Sequence, residues 1–569
     1  MKKLKFSLLA LALIPCIAIG SPVRVKANVK FDDASQQLLV TGVNDARIAI
    51  PSRPFEVESF CEFIDIARNH TIFIVGDEGR GEQWQIADRE GLLDAPAKVR
   101  DLALPPTATH CDVDYAAARL YVNEEGVGIW SYPADAEAEL VRRPVALEAP
   151  YGLFKSIAAF TVAGGNVIVA DPKLDAVKVL APSSKNSWKE TASVAVAGLG
   201  KIDLEKLDFR NLRNQELQLR AVGDDGELDV VIPWTDTIAT RAADRSVNVV
   251  AVMPTAQTTS VKHMGDAADD PAIWVHPTDK SRSLVLGTDK KGGLQVFDLQ
   301  GQLLQDLRVG RLNNVDVRSG RIDGREWHIA AASHRDNESL RLFAIDARTA
   351  RVRDLADIPT THKEIYGLCV GKDKTGAMYV IANQKDGLFV QYQLVAAGSD
   401  RVSARKVREF RVNSQPEGCV VNDRTGDLYV GEEAKGVYVL PLSPQEPAVL
   451  RDVIRVGDVL HKDVEGLGIY NGTNADYLVV SSQGNDSYVI LDAQAPFAVR
   501  GVVRIMANAR SAIDGASETD GLEVTSANLG GAYETGMLVV QDGRKRMPEA
   551  PQNFKYVPWA EIAKALNLH

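Results

Sequence analysis

Helical periodicity is nearly missing from this 569-residue chain: only Trp559–Leu568 reads as a helix, which excludes an α-rich fold. Cysteine is scarce, with five in all. Cys61, Cys111, Cys369 and Cys419 lie beyond the N-terminal leader, an even number suited to an oxidising compartment. Basic residues are in the minority, 65 against 76 acidic, for a formal net charge of −11. That balance excludes nucleic acid as a partner, and it means that an anionic substrate needs a cation between it and the protein. Familiar nucleophile and phosphate-loop motifs are missing too: no Gly-x-Ser-x-Gly, no Cys-x5-Arg loop, no Walker A loop and no His-Glu-x-x-His. Past the N-terminus, no apolar run is long enough to span a bilayer.

The N-terminus has what the rest lacks. Lys2, Lys3 and Lys5 precede an apolar run from Phe6 to Gly20, 15 residues long. That is short for a membrane span and fits the h-region of a signal peptide. Small residues for cleavage stand at Ala18-Ile19-Gly20 and Val25-Lys26-Ala27, and Pro22 with the strand-like start at Val29 favours cleavage after Ala27. A lipid anchor on Cys16 is disfavoured by Pro15. Residues 1–27 are therefore expected to be a signal peptide, and the mature chain to be secreted or periplasmic, off the membrane and monomeric.

What is plentiful is short Val/Ile/Leu/Tyr runs between Gly, Asp and Asn turns, such as Leu284-Val285-Leu286, Met378-Tyr379-Val380-Ile381, Leu428-Tyr429-Val430 and Tyr477-Leu478-Val479-Val480. Many such strands at regular spacing point to a sandwich, barrel or propeller. A repeat decides among them. Six units each open on a polar residue before a short apolar strand: Asp270-Pro271-Ala272-Ile273-Trp274, Asn314-Val315-Asp316-Val317, Tyr366-Gly367-Leu368-Cys369, Glu417-Gly418-Cys419-Val420, Glu465-Gly466-Leu467 and Asp520-Gly521-Leu522. A second strand follows and ends in a polar corner, at Lys290, Arg335, Lys385, Glu433, Gln483 and Asp542. Any one of these polar residues alone reads as an ordinary turn residue. Two coincident rows of six predict an all-β, six-bladed β-propeller with both rows at one end of its channel.

The N-terminal half repeats the scheme imperfectly. At an offset of 308, Cys61 matches Cys369, Cys111 matches Cys419, and Leu120-Tyr121-Val122-Asn123-Glu124-Glu125 matches Leu428-Tyr429-Val430-Gly431-Glu432-Glu433. Pro233-Trp234 parallels Pro558-Trp559 in the same way. Residues 28–245 are thus expected to be a degenerate, incomplete relative of the domain at 246–569, with four blades and a boundary near Arg241–Val250. At the same offset Tyr366 becomes Glu58, Lys385 becomes Asp77 and Glu417 becomes Thr109. This half is expected to be non-catalytic. Cys369 and Cys419 occupy matching points of adjacent blades, and Cys61 and Cys111 repeat their separation of 50. Two disulfides, Cys61–Cys111 and Cys369–Cys419, are therefore expected, with buried free thiols as the alternative.

From about residue 250 to the end the chain resembles the β-propeller phytases, also called alkaline phytases. The resemblance is carried by Asp266-Ala267-Ala268-Asp269-Asp270-Pro271-Ala272-Ile273-Trp274, Thr288-Asp289-Lys290-Lys291-Gly292-Gly293, Ala331-Ala332-Ser333-His334-Arg335, Gln415-Pro416-Glu417-Gly418, Gly431-Glu432-Glu433, Asp463-Val464-Glu465-Gly466 and the stretch from Asp514 to Gly521. It implies a calcium-dependent phosphomonoesterase acting on calcium–phytate, a 3-phytase. In such an enzyme several calcium ions activate a water that attacks directly, without a covalent intermediate.

The chemistry of the residues agrees. Asp269, Asp270, Glu417, Glu433, Asp463, Glu465, Asp514 and Asp520 form a carboxylate surplus that needs hard cations, and oxygen-only ligation favours calcium. The plainer alternative for them is a solvated rim. Lys290, Lys291, Arg335, Lys385 and the Tyr366 hydroxyl are expected to bind substrate phosphate, although salt bridges to the same acids would also account for the cations. Lys290, Arg335, Tyr366, Lys385 and Glu417 make up the expected catalytic set. His334 is expected to be structural rather than a phosphohistidine. One departure stands out: where the family often carries an acid upstream of the Asp-Ala-Ala-Asp-Asp run, this chain has Gln257, which weakens one calcium position. The competing functions are a lactonase-like six-bladed hydrolase and a propeller that binds phosphate or inositol phosphates without turnover. Fold alone does not separate these.

Overall fold

The computed structural model describes residues 27–184, 187–213, 216–223, 226–233 and 248–568. The expected leader (save Ala27), Trp234 and most of the expected boundary stretch lie outside them. The chain divides into two compact units, Met1–Arg245 and Ser246–His569. Among the described residues no helix is long and apolar enough to cross a membrane.

In the second unit each repeat becomes one antiparallel sheet. Blade 1 spans 268–307, blade 2 312–359, blade 3 365–411, blade 4 416–455, blade 5 464–505 and blade 6 522–558. The β-branched runs picked out in the sequence, such as Leu284-Val285-Leu286 and Leu478-Val479-Val480, are second strands, buried on both faces between neighbouring blades. Six apolar cores fill the spaces between successive blades, and the one holding Phe554, Tyr556, Val285 and Phe297 joins blade 6 back to blade 1. The innermost strands touch in a closed cycle, giving the expected six-bladed β-propeller. Trp274, wholly buried between blades 1 and 2, shows the scale of this packing, since its truncation to Ala costs about 3–5 kcal/mol.

The ring is fastened by its own N-terminal segment. Ala256–Gln257 pairs with Asn553–Pro558 as the outer strand of blade 6, and Val249–Val252 runs parallel to Val499–Ile505 at the edge of blade 5. Pairing covers strand edges that would otherwise invite association. The helix Trp559–Leu566 buries Trp559, Ile562 and Leu566 in the core between blades 5 and 6, and the Trp559 ring stacks on Tyr470 at 3.9 Å.

The first unit is built alike, but among the described residues its sheets do not close into a ring. It has three four-stranded sheets, over 57–103, 111–147 and 159–195, and three-stranded sheets at 28–49 and 204–233. The sequence predicts four blades. The additional sheet is 28–49, whose Val29, Leu38 and Val40 pack on Ile72, Ile74 and Ile86 of the next. Four apolar cores join these five sheets in series, and among the described residues none joins the last to the first. In each unit a disulfide ties two neighbouring innermost strands: Cys61–Cys111 at a Cα separation of 6.0 Å and Cys369–Cys419 at 5.5 Å.

Candidate active site and metal centre

A repeated irregularity builds the site. At the start of the innermost strands of blades 1 to 5, pairing to the second strand skips between Ala268 and Pro271, Leu312 and Val315, Ile365 and Leu368, Pro416 and Cys419, and Val464 and Leu467. Such a bulge kinks the strand and re-aims its extra residues. The first residue in each is Asp269, Asn313, Tyr366, Glu417 or Glu465, and Asp520 stands just before the innermost strand of blade 6. The polar row from the sequence named Asp270 and Asn314 in blades 1 and 2. The pairing register moves it by one residue there, to Asp269 and Asn313.

The next residue in blades 3 to 6 is Gly367, Gly418, Gly466 or Gly521, and here only glycine fits. A Cβ on Gly367 would stand 1.9 Å from the Glu417 carbonyl oxygen, and one on Gly418 2.0 Å from that of Glu465. One on Gly521 would stand 2.0 Å from Asp270 Oδ1. Backbone therefore meets backbone around the ring: Gly466 N donates to Asp520 O at 2.8 Å, and Gly521 N to Asp269 O at 3.0 Å. This close approach draws the row into one mouth.

There Glu417, Glu433 and Glu465 bring a carboxylate oxygen each to within 4.8 Å of one another. Lys290 Nζ sits 2.8 Å from Asp266 Oδ1, 2.9 Å from Asp520 Oδ2 and 3.1 Å from Asp269 Oδ2. Asn313 Nδ2 donates to Glu417 Oε1 at 3.0 Å, while Asn313 Oδ1 accepts from Arg335 Nη1 at 3.1 Å. Gln415 donates to Glu433 at 2.7 Å and Gln483 to Asp520 at 2.6 Å. Lys385 Nζ and Arg335 Cζ lie 4.8 and 5.8 Å from the centre of the Tyr366 ring, within cation–π range.

Burial and mutual repulsion dominate the electrostatics. Burial, then Glu417, pushes the Asp269 carboxyl up to about 6 against the opposing pull of Lys290. Burial, with Glu417 and Asp463 nearby, raises Glu433 to about 7. Glu465 and Asp520 are raised well above the carboxylate range, first by burial and then by neighbouring acids. Burial works to lower the Lys290 ammonium, but Asp269, Asp520 and Asp266 together outweigh it and hold it above its ordinary value. Tyr366 is raised by burial and by Glu417 and Glu465, so its hydroxyl stays a donor.

Asp269 Oδ1 and Glu465 Oε2 are buried without a hydrogen-bond partner among the described residues. Oxygen-only donors, an excess of negative charge and orphaned carboxylate oxygens fit a hard divalent cation. Beside them, Lys290, Arg335 and Lys385 supply donors of the kind that hold phosphate oxygens.

Other expected residues lie differently. Asp463 stands beside Glu433 at the mouth. Asp270 accepts from Val315 N at 3.0 Å and lines a narrow cavity inside the ring with Asp316 and Glu523. Asp514 is engaged by Lys555, 2.6 Å from its Oδ1. Lys291 Nζ donates to the Met264 carbonyl at 2.6 Å. His334 is buried, with Nδ1 3.5 Å from Asp357 and Nε2 3.9 Å from Asp336, a structural placement. Asp266, Asn313 and Gln415 were not foreseen. Counting the bulge register finds Asn313, Asp266 opens the Asp-Ala-Ala-Asp-Asp run, and Gln415 opens the Gln-Pro-Glu-Gly run.

Comparison with known proteins agrees with this geometry. The sequence model of a family described as Phytase matches residues 227–569. The chain is similar to the "3-phytase" of Bacillus subtilis (strain 168), 40% identical over 326 residues that cover 54% of this chain and 84% of the relative.

Proposed function

This chain belongs to the phytase family, and from that premise we propose that it releases phosphate from phytate at the mouth of the 246–569 propeller, using calcium held by Asp269, Glu417, Glu433, Asp463, Glu465 and Asp520. The observation that carries this is the Glu417–Glu433–Glu465 cluster, with Glu465 Oε2 and the neighbouring Asp269 Oδ1 unpartnered among the described residues, set beside Lys290, Arg335 and Lys385. Calcium bound there would neutralise phosphoryl oxygens and activate the attacking water. Lys290, fixed by three carboxylates, takes one edge of the substrate phosphate, and Arg335 and Lys385 take the other across the Tyr366 ring. Asn313 joins Arg335 to Glu417, so a phosphate clamp and a metal ligand are positioned by one amide. Tyr366 donates its hydroxyl proton to an anionic oxygen. No side chain here acts as a nucleophile.

Export through residues 1–27 and a non-catalytic role for residues 28–245 complete the proposal. The test is phosphate release from phytate by the purified chain. Release should stop under exhaustive calcium chelation, return when calcium is restored, and not return with zinc. Full release after chelation would contradict the calcium mechanism.

A further inference from the structure

The metal position expected at Asp514 is filled from within the chain. Lys555 Nζ lies 2.6 Å from Asp514 Oδ1, 3.0 Å from Asp542 Oδ2, 2.9 Å from Gln257 Oε1 and 3.0 Å from Asn553 Oδ1. Lys555, Asp514, Asp542 and Asn553 are wholly buried. The second oxygen of Asp514 accepts from the Arg546 backbone N–H, so both its oxygens already have protein donors. Gln257, neutral where an acid was expected, fits the same account: Lys545 Nζ also stands 4.0 Å from Asp514 Oδ1, so two ammoniums face two carboxylates, and a third carboxylate would leave an excess.

The cage also sits where the ring is fastened. Gln257 belongs to the outer strand of blade 6, Asn553 and Lys555 to the strand it pairs with, and Asp542 to the next strand in. We infer that the Lys555 ammonium is a tethered structural cation standing in place of a metal ion at this position, so that the closure of the propeller is pinned without calcium. The centre of the cage is a nitrogen with four oxygens in reach, and a divalent ion could enter only by displacing it.

The experiment uses the full chain with two substitutions, Lys555→Met and Asp514→Asn. The readouts are the melting temperature in chelator and in calcium, and the number of calcium ions bound at equilibrium dialysis. Lys555→Met strands two buried carboxylates, and its melting temperature in chelator should fall by about 5–10 °C. Asp514→Asn should destabilise by the same amount in chelator as in calcium and leave the number of bound calcium ions unchanged. That second variant decides the matter if the first does not fold. Loss of one bound calcium ion in Asp514→Asn, destabilisation seen only in calcium, or no destabilisation in either solution would overturn the inference. None of these readouts depends on turnover, so they stand apart from the fate of the phytate assignment.

Discussion

Gln83 and Gln391 are 308 residues apart and do the same work. Gln83 Nε2 donates to the Ala134 carbonyl at 3.1 Å, and Gln391 Nε2 to that of Leu442 at 2.9 Å. Arg100 and Arg408 follow suit, reaching the carbonyls of Pro133 and Pro441 at 2.9 and 2.8 Å. Glu125 N and Glu433 N each donate at 3.0 Å, to Thr107 O and Gln415 O. Scaffold bonds have thus been kept across both units while the mouth has changed. Thr109 stands where Glu417 does, and its hydroxyl is tied to Asn123 at 2.8 Å. Ser59 and His110 stand where Gly367 and Gly418 let neighbouring strands meet. Among the described residues no closing core completes a ring in the first unit. A blade interface tolerates drift so long as its anchors remain, whereas a mouth built from backbone contact does not.

The largest effect that would break this contrast is loss of a mouth residue. Glu417→Ala, Asp269→Ala or Lys290→Ala in the full chain should each cut phytate turnover by about a hundredfold or more, because each removes a preorganised charge. Glu125→Ala, at the place in the first unit that matches the mouth residue Glu433, should leave turnover unchanged in the same phosphate-release assay. A comparable loss there would make the first unit a partner in the chemistry. The next effect is on packing. Gly418→Ala forces a methyl group to within 2.0 Å of the Glu465 oxygen, and overpacking of this kind costs about 1–3 kcal/mol, read as a lowered denaturation midpoint with weaker calcium binding. His110→Gly in the first unit should relieve no such strain and leave both unchanged.

The smallest effect is the response to pH. In chelator the folded mouth keeps protons on Glu433 up to about 7 and on Asp269 up to about 6, whereas the unfolded chain releases them near pH 4, the ordinary range of about 3.9–4.3. Between those values the folded state binds more protons, so stability falls as pH rises through about 4 to 7. The melting temperature in chelator should therefore drop by a few degrees between about pH 5.5 and 7.5, and calcium should remove the drop. A drop of equal size in saturating calcium would place its origin elsewhere, in Glu523, pushed up to about 8 by burial, or in Asp65 of the first unit, pushed up to about 7 by burial.

The blade repeat was legible because each blade needs the same short β-branched strands and the same polar turn, and those leave a periodic trace at Leu284–Leu286 or Tyr477–Val480. Most of the side chains that converge at the mouth were legible for the same reason, but Asp266, Asn313 and Gln415 were not, and the expected Asp514 and Lys291 lie elsewhere. Pro271 and Val315 mark where the apolar strand begins, but the bulge counts back two residues, to Asp269 and Asn313. The glycine after each polar residue was visible as a letter, yet its purpose is a distance to another blade, which no local pattern encodes. Lys555 was out of reach altogether. It lies in an ordinary strand, and only the closed ring brings it to Asp514, forty-one positions away in the chain. The fifth sheet of the first unit was missed because its short strands, Gln37–Thr41 and Arg47–Ala49, carry no counterpart of the polar row.

Whether the chemistry belongs wholly to the closed ring is tested most directly by dividing the chain. The segment from residue 246 onward carries its own fastening strands and all six interblade cores, so it should fold alone. Phytate turnover by purified 246–569, by 28–245 and by the full chain should be compared at one calcium concentration. The account predicts calcium-dependent turnover in 246–569 close to that of the full chain and essentially none in 28–245. Appreciable turnover by 28–245, or a folded 246–569 that is inactive, would contradict it.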